Sequence, residues 1–178
     1  MSSILTSATQ TAHSVAATLL SKSQVQPGNA ISFKDVKEEA PDQAAALELK
    51  GRNIIVGVPG AFAGVCNAQV PGYINNVQKF KEKGIAEIFV VSVNDAFVMQ
   101  AWKEHLANGN TSIRFVADDQ GSFTGSVGML FDASDLLGGP RSKRYVIVTN
   151  GDKVEKVAVE EDPGQVTCTA AEKILAQL

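Results

Sequence analysis

The chain has 178 residues, 44% hydrophobic and 20% charged, a balance that predicts one domain with a sizeable core. A net charge of −3 gives no electrostatic reason to expect a nucleic-acid or anionic-membrane partner, and two cysteines are too few for a secreted disulfide scaffold. Two histidines, His13 and His105, make a poor basis for a metal centre, so no metal or cofactor is expected. No apolar run approaches the roughly 18 residues of a membrane span.

Residues 1–26 are rich in Ser, Thr and Ala, lack Asp and Glu, and carry Lys22 as their one Lys or Arg. Ile4, Leu5, Ala12, Val15, Ala16, Leu19 and Leu20 fall on one face at helical spacing. Two readings stay open for this extension: a targeting segment without the usual arginines, or an extra helix packed on the domain or a partner. Pro27-Gly28-Asn29 reads as the turn that separates it from the main domain, 27–178.

Within that domain, 30–33 is expected to form a short strand and 34–49 a charged connection. Residues 52–58, with Ile54-Ile55-Val56, form the first buried strand. A helix follows over 66–83, kinked or broken near its start by Pro71 and stopped by Gly84. Residues 87–93 are a second buried strand, and Asn94-Asp95 caps a helix over 96–108. A third strand spans 113–117, a short helix 123–127, and two strands, 144–149 and 153–159, join at the hairpin signal Asn150-Gly151. A closing amphipathic helix spans 168–178, with Ala171, Ile174, Leu175 and Leu178 inward. This order predicts an α/β sandwich, a mixed central sheet flanked by helices, in the thioredoxin-like arrangement. There is no Cys-x-x-Cys, which excludes a thioredoxin-type dithiol.

Between the first strand and its helix lies Gly57-Val58-Pro59-Gly60-Ala61-Phe62-Ala63-Gly64-Val65-Cys66. Unpaired N–H groups at a helix start favour negative charge, and cysteines so placed can have a pKa anywhere from ~3.5 to ~7.5. A glycine-rich turn is also a poor place to hide a side chain, so Cys66 is expected at an exposed helix mouth. The stretch resembles the peroxiredoxin loop Pro-x-x-x-Thr-x-x-Cys, matching at Pro59 and Cys66. Its flanks, Gly-Val-Pro-Gly-Ala-Phe and Gln-Val-Pro-Gly-Tyr, resemble the type-5, or atypical two-cysteine, subgroup. Ala63 departs from the pattern, standing where the family has Thr or Ser, and Gly64 and Val65 also differ from the common residues.

The resemblance implies a thiol-specific peroxidase acting on hydrogen peroxide and organic hydroperoxides. Cys66 would be the peroxidatic cysteine and Pro59 its shield from water. The backbone of Ala63, Gly64 and Val65 would bind substrate, and Arg144 would be the guanidinium at the site, with Arg141 as the substitute. Cys168, in Val166-Thr167-Cys168-Thr169, resembles the subgroup's resolving cysteine, which implies a Cys66–Cys168 disulfide reduced by a thioredoxin-like or glutaredoxin-like donor. A disulfide needs Cα atoms within about 7 Å, so the reduced fold is expected to keep the two apart and the turn at Cys66 to unwind. Asp118 and Trp102 match family positions near a dimer face and core, though a cap and a core residue explain them equally well. The family implies a homodimer; the cytoplasm is the expected compartment, with the mitochondrion and peroxisome as alternatives. Because Ala63 can neither donate to peroxide nor accept from the thiol, a low-turnover redox sensor or relay is the alternative. A partner-binding domain docked through the N-terminal extension is a weaker one.

Overall fold

The computed structural model describes residues 23–178, so most of the expected N-terminal helix lies outside the described residues. The Ile54-Ile55-Val56 run is the middle of β3 (Arg52–Gly57), the central strand of a five-stranded sheet. Two further parallel strands, β4 (Ile85–Ser92) and β5 (Arg114–Ala117), follow on one side. On the other side lie β8 (Tyr145–Asn150), antiparallel to β3, and then β9 (Lys153–Val159), antiparallel to β8. The order is therefore β5-β4-β3-β8-β9, a mixed sheet.

Alternation along these strands divides the apolar residues between two cores, because successive strand side chains point to opposite faces. Ile54, Val56, Val90 and Val148 meet Val70, Tyr73, Phe80, Met99, Trp102 and Ile174 on one face. Ile55, Phe89, Val91, Val116 and Ile147 meet Phe33, Phe123, Met129 and Tyr145 on the other. The first face is covered by α1 (Gly64–Asn75), α2 (Val77–Glu82), α3 (Ala96–Ala107) and α6 (Ala171–Leu175). The second carries α4 (Ser122–Ser126) and the chain from Val25 to Val36. The layered α/β sandwich is thus as expected.

Several local expectations change. No strand forms over 30–33 beyond an isolated bridge from Ala30 to Lys153; the pairing lies later, between β1 (Lys34–Val36) and β2 (Ala45–Ala46). Residues on the near side of the Pro27-Gly28 turn also join the fold: Val25 is buried and its N–H donates to the Val127 carbonyl. A small sheet of β6 (Leu130–Asp132) and β7 (Pro140–Ser142), with the one-turn α5 (Ser134–Leu137) between them, has no clear signal in the sequence. The expected helix over 66–83 is two helices that part at Asn76, whose side chain donates to the Gly72 carbonyl. Pro71 sits inside α1 and does not break its first turn. The closing helix shrinks to Ala171–Leu175, with Ala171 and Ile174 inward.

One glycine positions the site directly. A Cβ on Gly57 would lie 2.0 Å from the ring of Tyr145, its partner across the sheet, so the ring fits there only because that position has no side chain. Tyr145 is next to Arg144, and this close approach sets where the start of β8 lies relative to the loop after β3.

Candidate active site

Pro59 is buried where the chain leaves β3, and the loop that follows is tied down by Asn94. The Asn94 side-chain oxygen accepts from the Ala61 N–H (3.0 Å) and from the Ser92 hydroxyl (2.7 Å). Phe62 then takes a left-handed backbone, φ 62°, an uncommon conformation for a non-glycine residue and one concentrated at functional loops. The turn delivers Ala63 as the N-cap of α1 in extended geometry, with no side-chain capping bond. Gly64 and Val65 are exposed in the first turn, where the leading N–H groups lack intrahelical acceptors. An N-cap hydroxyl would bond the N–H two or three residues on. Ala63 leaves those of Val65 and Cys66 without it.

Cys66 is the third residue of the helix, and it is fully buried, which corrects the expectation of an exposed sulfur. The turn is exposed at Phe62 and Val65, but the helix it starts packs its inner face on β3, and Cys66 points inward with Val70 and Tyr73. What covers the sulfur is not only aliphatic. Arg144, 1% exposed, places both terminal nitrogens on the Cys66 sulfur, at 3.6 Å and 3.5 Å. Its Nε donates to the Pro163 carbonyl at 2.9 Å and one terminal nitrogen to Gln69 Oε1 at 2.6 Å. Among the described residues no carboxylate is within ion-pair distance of this guanidinium. A buried cation is expensive without a counter-charge. This site offers it sulfur, a carbonyl and an amide oxygen, an arrangement complementary to negative charge on the sulfur or on an oxygen bound to it.

Arg141, the substitute, is elsewhere. It donates to the carbonyls of Val93 and Leu137 and is a structural tie between loops. Trp102 is a buried core residue whose ring N–H donates to Asn67 Oδ1, which steadies the first turn of α1. Asp118 is buried and accepts from the N–H groups of Phe123 and Thr124 in the first turn of α4; burial raises its pKa against the lowering effect of its hydrogen bonds to that turn.

The structure adds a layer that the motif does not contain. Gln69 and Tyr73 follow Cys66 by three and seven residues on the same inner face of α1. Gln69 Nε2 donates to the Thr169 carbonyl (3.1 Å) and hydroxyl (2.9 Å), and the Tyr73 hydroxyl donates to the same carbonyl at 2.6 Å. Burial raises the Tyr73 pKa, helped by Glu172, Cys168 and Glu160, so the phenol stays a donor. Cys168, half-buried beside Thr169, is not joined to Cys66; its thiol donates to the Val159 carbonyl at 3.4 Å. Burial first, and then the Glu160 carboxylate, pushes the Cys168 thiol up. The helical spacing of Gln69 and Tyr73 from Cys66 was available in the sequence; Glu160 was indistinguishable from Glu161 and Asp162 beside it.

Glu160 is 5% exposed and accepts four hydrogen bonds, from the N–H and hydroxyl groups of both Thr167 and Thr169. Burial raises its pKa, but those bonds outweigh it and take the carboxyl from 4.5 down to about 2. A depressed carboxylate adds stability above its unfolded pKa and loses it as pH falls through the folded value. Glu160→Gln is therefore expected to unfold at lower urea than the parent at pH 7, the gap closing between pH 4.5 and about 2. Urea melts at pH 7, 4 and 2.5 check this; a gap as wide at pH 2.5 as at pH 7 would contradict it.

The sequence model of the Redoxin family matches residues 26–175. Over 155 residues, 86% of this chain, the sequence is 44% identical to Peroxisomal membrane associated protein 20 of Schizosaccharomyces pombe, covering 99% of that protein. It is 43% identical over 131 residues to mitochondrial Peroxiredoxin-2F of Arabidopsis thaliana, covering 72% of this chain and 65% of the relative. The crystal structure of peroxiredoxin 5 from Alvinella pompejana superposes with a TM-score of 0.76 at 31% identity, over 85% of this chain and 96% of that one. This chain belongs to the peroxiredoxins. It is accordingly a peroxidase oxidoreductase with the thioredoxin-like fold. Relatives in this peroxiredoxin family carry peroxisomal and mitochondrial names, and no described helix is long and apolar enough to cross a membrane.

Proposed function

We propose that this peroxiredoxin reduces hydrogen peroxide and small organic hydroperoxides at Cys66 and completes its cycle through Cys168. The observation that carries the reading is the fork of Arg144 on the Cys66 sulfur, 3.5 and 3.6 Å away in a fully buried pocket. The Cys66 thiolate attacks one peroxide oxygen; the O–O bond breaks, Cys66 becomes a sulfenic acid, and the other oxygen leaves as water or an alcohol. An ordinary thiol is about 3% ionised at pH 7, so complete ionisation gains at most about thirtyfold. The larger share must come from donors that hold the two oxygens in the transition state. Arg144 and the open N–H groups of the first turn of α1 take that part, and Pro59 closes the site against water.

Cys168 then forms a disulfide with Cys66, and a thioredoxin-like or glutaredoxin-like protein reduces it. The exposed Phe62 and Val65, in the turn and helix start that precede Cys66, supply apolar surface for the homodimer that the family implies. The cytoplasm is the expected compartment, with the mitochondrion and peroxisome as alternatives.

Ala63 limits the rate. Restoring the hydroxyl in Ala63→Thr adds an N-cap bond, about 1 kcal/mol of helix stability, and a hydrogen bond to a charged group of roughly 1.5–3 kcal/mol. At 1.4 kcal/mol per factor of ten, kcat/KM is expected to rise about 10- to 100-fold. Peroxide consumption with thioredoxin, compared for the parent, Ala63→Thr and Cys66→Ser, tests this. Parent turnover equal to that of Cys66→Ser would sink the peroxidase reading and leave the sensor reading, which the missing hydroxyl and the buried sulfur favour.

A further inference from the structure

The segment 160–170 carries Cys168 from the end of β9 to the start of α6, and it is anchored from three sides. Arg144 holds the Pro163 carbonyl, Gln69 and Tyr73 hold the Thr169 carbonyl, and, among the described residues, only Glu160 holds both residues that flank Cys168. Thr167 N and Thr169 N donate to Glu160 Oε1 at 2.7 and 2.8 Å, the Thr169 hydroxyl to the same oxygen at 2.8 Å, and the Thr167 hydroxyl to Oε2 at 2.6 Å. One carboxylate thus closes a small ring around the cysteine. We propose that Glu160 is a positioning residue for disulfide formation: its carboxylate clamps the two threonines beside Cys168, and release of the clamp sets how fast Cys168 reaches oxidised Cys66.

The proposal rests on the peroxidase reading above. The step itself joins the Cys168 sulfur to the Cys66 sulfur as the S–OH bond of the sulfenic acid breaks. The Cys168 lone pair becomes the new S–S bond, the S–O bonding pair leaves with the oxygen, and that oxygen takes the proton given up by the Cys168 thiol and departs as water, so both sulfurs end at the disulfide level. In the reduced fold each sulfur is engaged with another partner. Cys66 is fully buried under Arg144, and the Cys168 thiol is turned to the Val159 carbonyl. Residue 168 travels only if the residues on either side of it let go; both are held by Glu160, and Thr169 is held by Gln69 and Tyr73 as well. The closed clamp also keeps a carboxylate next to the Cys168 thiol, which disfavours its thiolate, the attacking species. The consequence is a sulfenic acid that persists long enough to meet a second peroxide and pass to sulfinic acid.

Glu160→Gln keeps the size of the side chain and removes its charge; Thr167→Val, at an exposed position, removes only the bond to Oε2. Hydrogen bonds to a charged acceptor being worth about tenfold or more each, three results are expected. Amide exchange at Thr167 and Thr169 of the reduced protein speeds up about tenfold or more in Glu160→Gln. After rapid mixing with one equivalent of hydrogen peroxide, quench and mass spectrometry, the sulfenic acid at Cys66 forms at the parent rate. The Cys66–Cys168 disulfide then forms about tenfold or more faster in Glu160→Gln and less so in Thr167→Val, with less sulfinic acid under excess peroxide. Disulfide formation no faster than in the parent, with sulfenic acid forming normally, overturns the clamp and leaves the peroxidase reading intact. Absence of both sulfenic acid and disulfide in the parent overturns both.

Discussion

Arg144→Lys is expected to lower kcat/KM for hydrogen peroxide by about 100- to 1000-fold, the range for loss of a donor that stabilises developing charge. The charge survives in this variant, so the size of the effect isolates geometry. Arg144 reaches the Cys66 sulfur with two nitrogens, Gln69 Oε1 with one of the same pair, and the Pro163 carbonyl with Nε. A lysine presents one compact ammonium on a flexible stem and cannot fill these directions together. Arg144→Met goes further, leaving Gln69 Oε1 and the Pro163 carbonyl without this donor, so it is expected to lose stability as well as rate. Peroxide consumption and thermal unfolding on the same samples separate the two effects. A lysine variant within a few-fold of the parent would mean that the guanidinium only plugs the site.

Cys66→Ser is expected to abolish turnover, while Cys168→Ser spares the first half of the cycle. A serine hydroxyl in the same pocket stays protonated and offers no polarisable nucleophile, so Arg144 has nothing to activate. Cys168→Ser retains Cys66 and its donors, so one equivalent of peroxide is consumed and a sulfenic acid accumulates; steady turnover with thioredoxin stops. Single-turnover peroxide consumption followed by thiol alkylation and intact mass distinguishes the two. A Cys168→Ser protein that turns over with thioredoxin as fast as the parent would assign resolution to another thiol.

Much of the fold could be read from local pattern. The apolar runs at Ile54-Ile55-Val56 and at Phe89-Val90-Val91, the Asp95 cap that accepts from Val98 N–H, and the Asn150-Gly151 hairpin are all present. Each is a signal written within a few residues, by side-chain alternation or turn chemistry. Local pattern is silent where such signals are short or compete. A two-residue β2 and three-residue β6 and β7 are too brief for periodicity to show. Pro71 removes a donor within α1, yet packing of Val70 and Tyr73 on the sheet holds the helix together and moves the break to Asn76.

The sequence by itself determined the strand–turn–helix that presents Cys66, the alternation of elements that makes an α/β sandwich, and, through the loop from Pro59 to Cys66, the family. Those depend on neighbours in the chain, whose geometry follows from backbone chemistry. The tertiary structure alone decided that Cys66 is buried, that both terminal nitrogens of Arg144 lie on its sulfur, and that Glu160 rather than Glu161 or Asp162 holds the Cys168 segment. Arg144 lies 78 residues from Cys66, and Thr169 lies 100 from Gln69. Partners that distant meet only because β8 pairs with β3 and α6 packs on α1, and a charged residue at a strand end looks the same in sequence whichever way the sheet turns it.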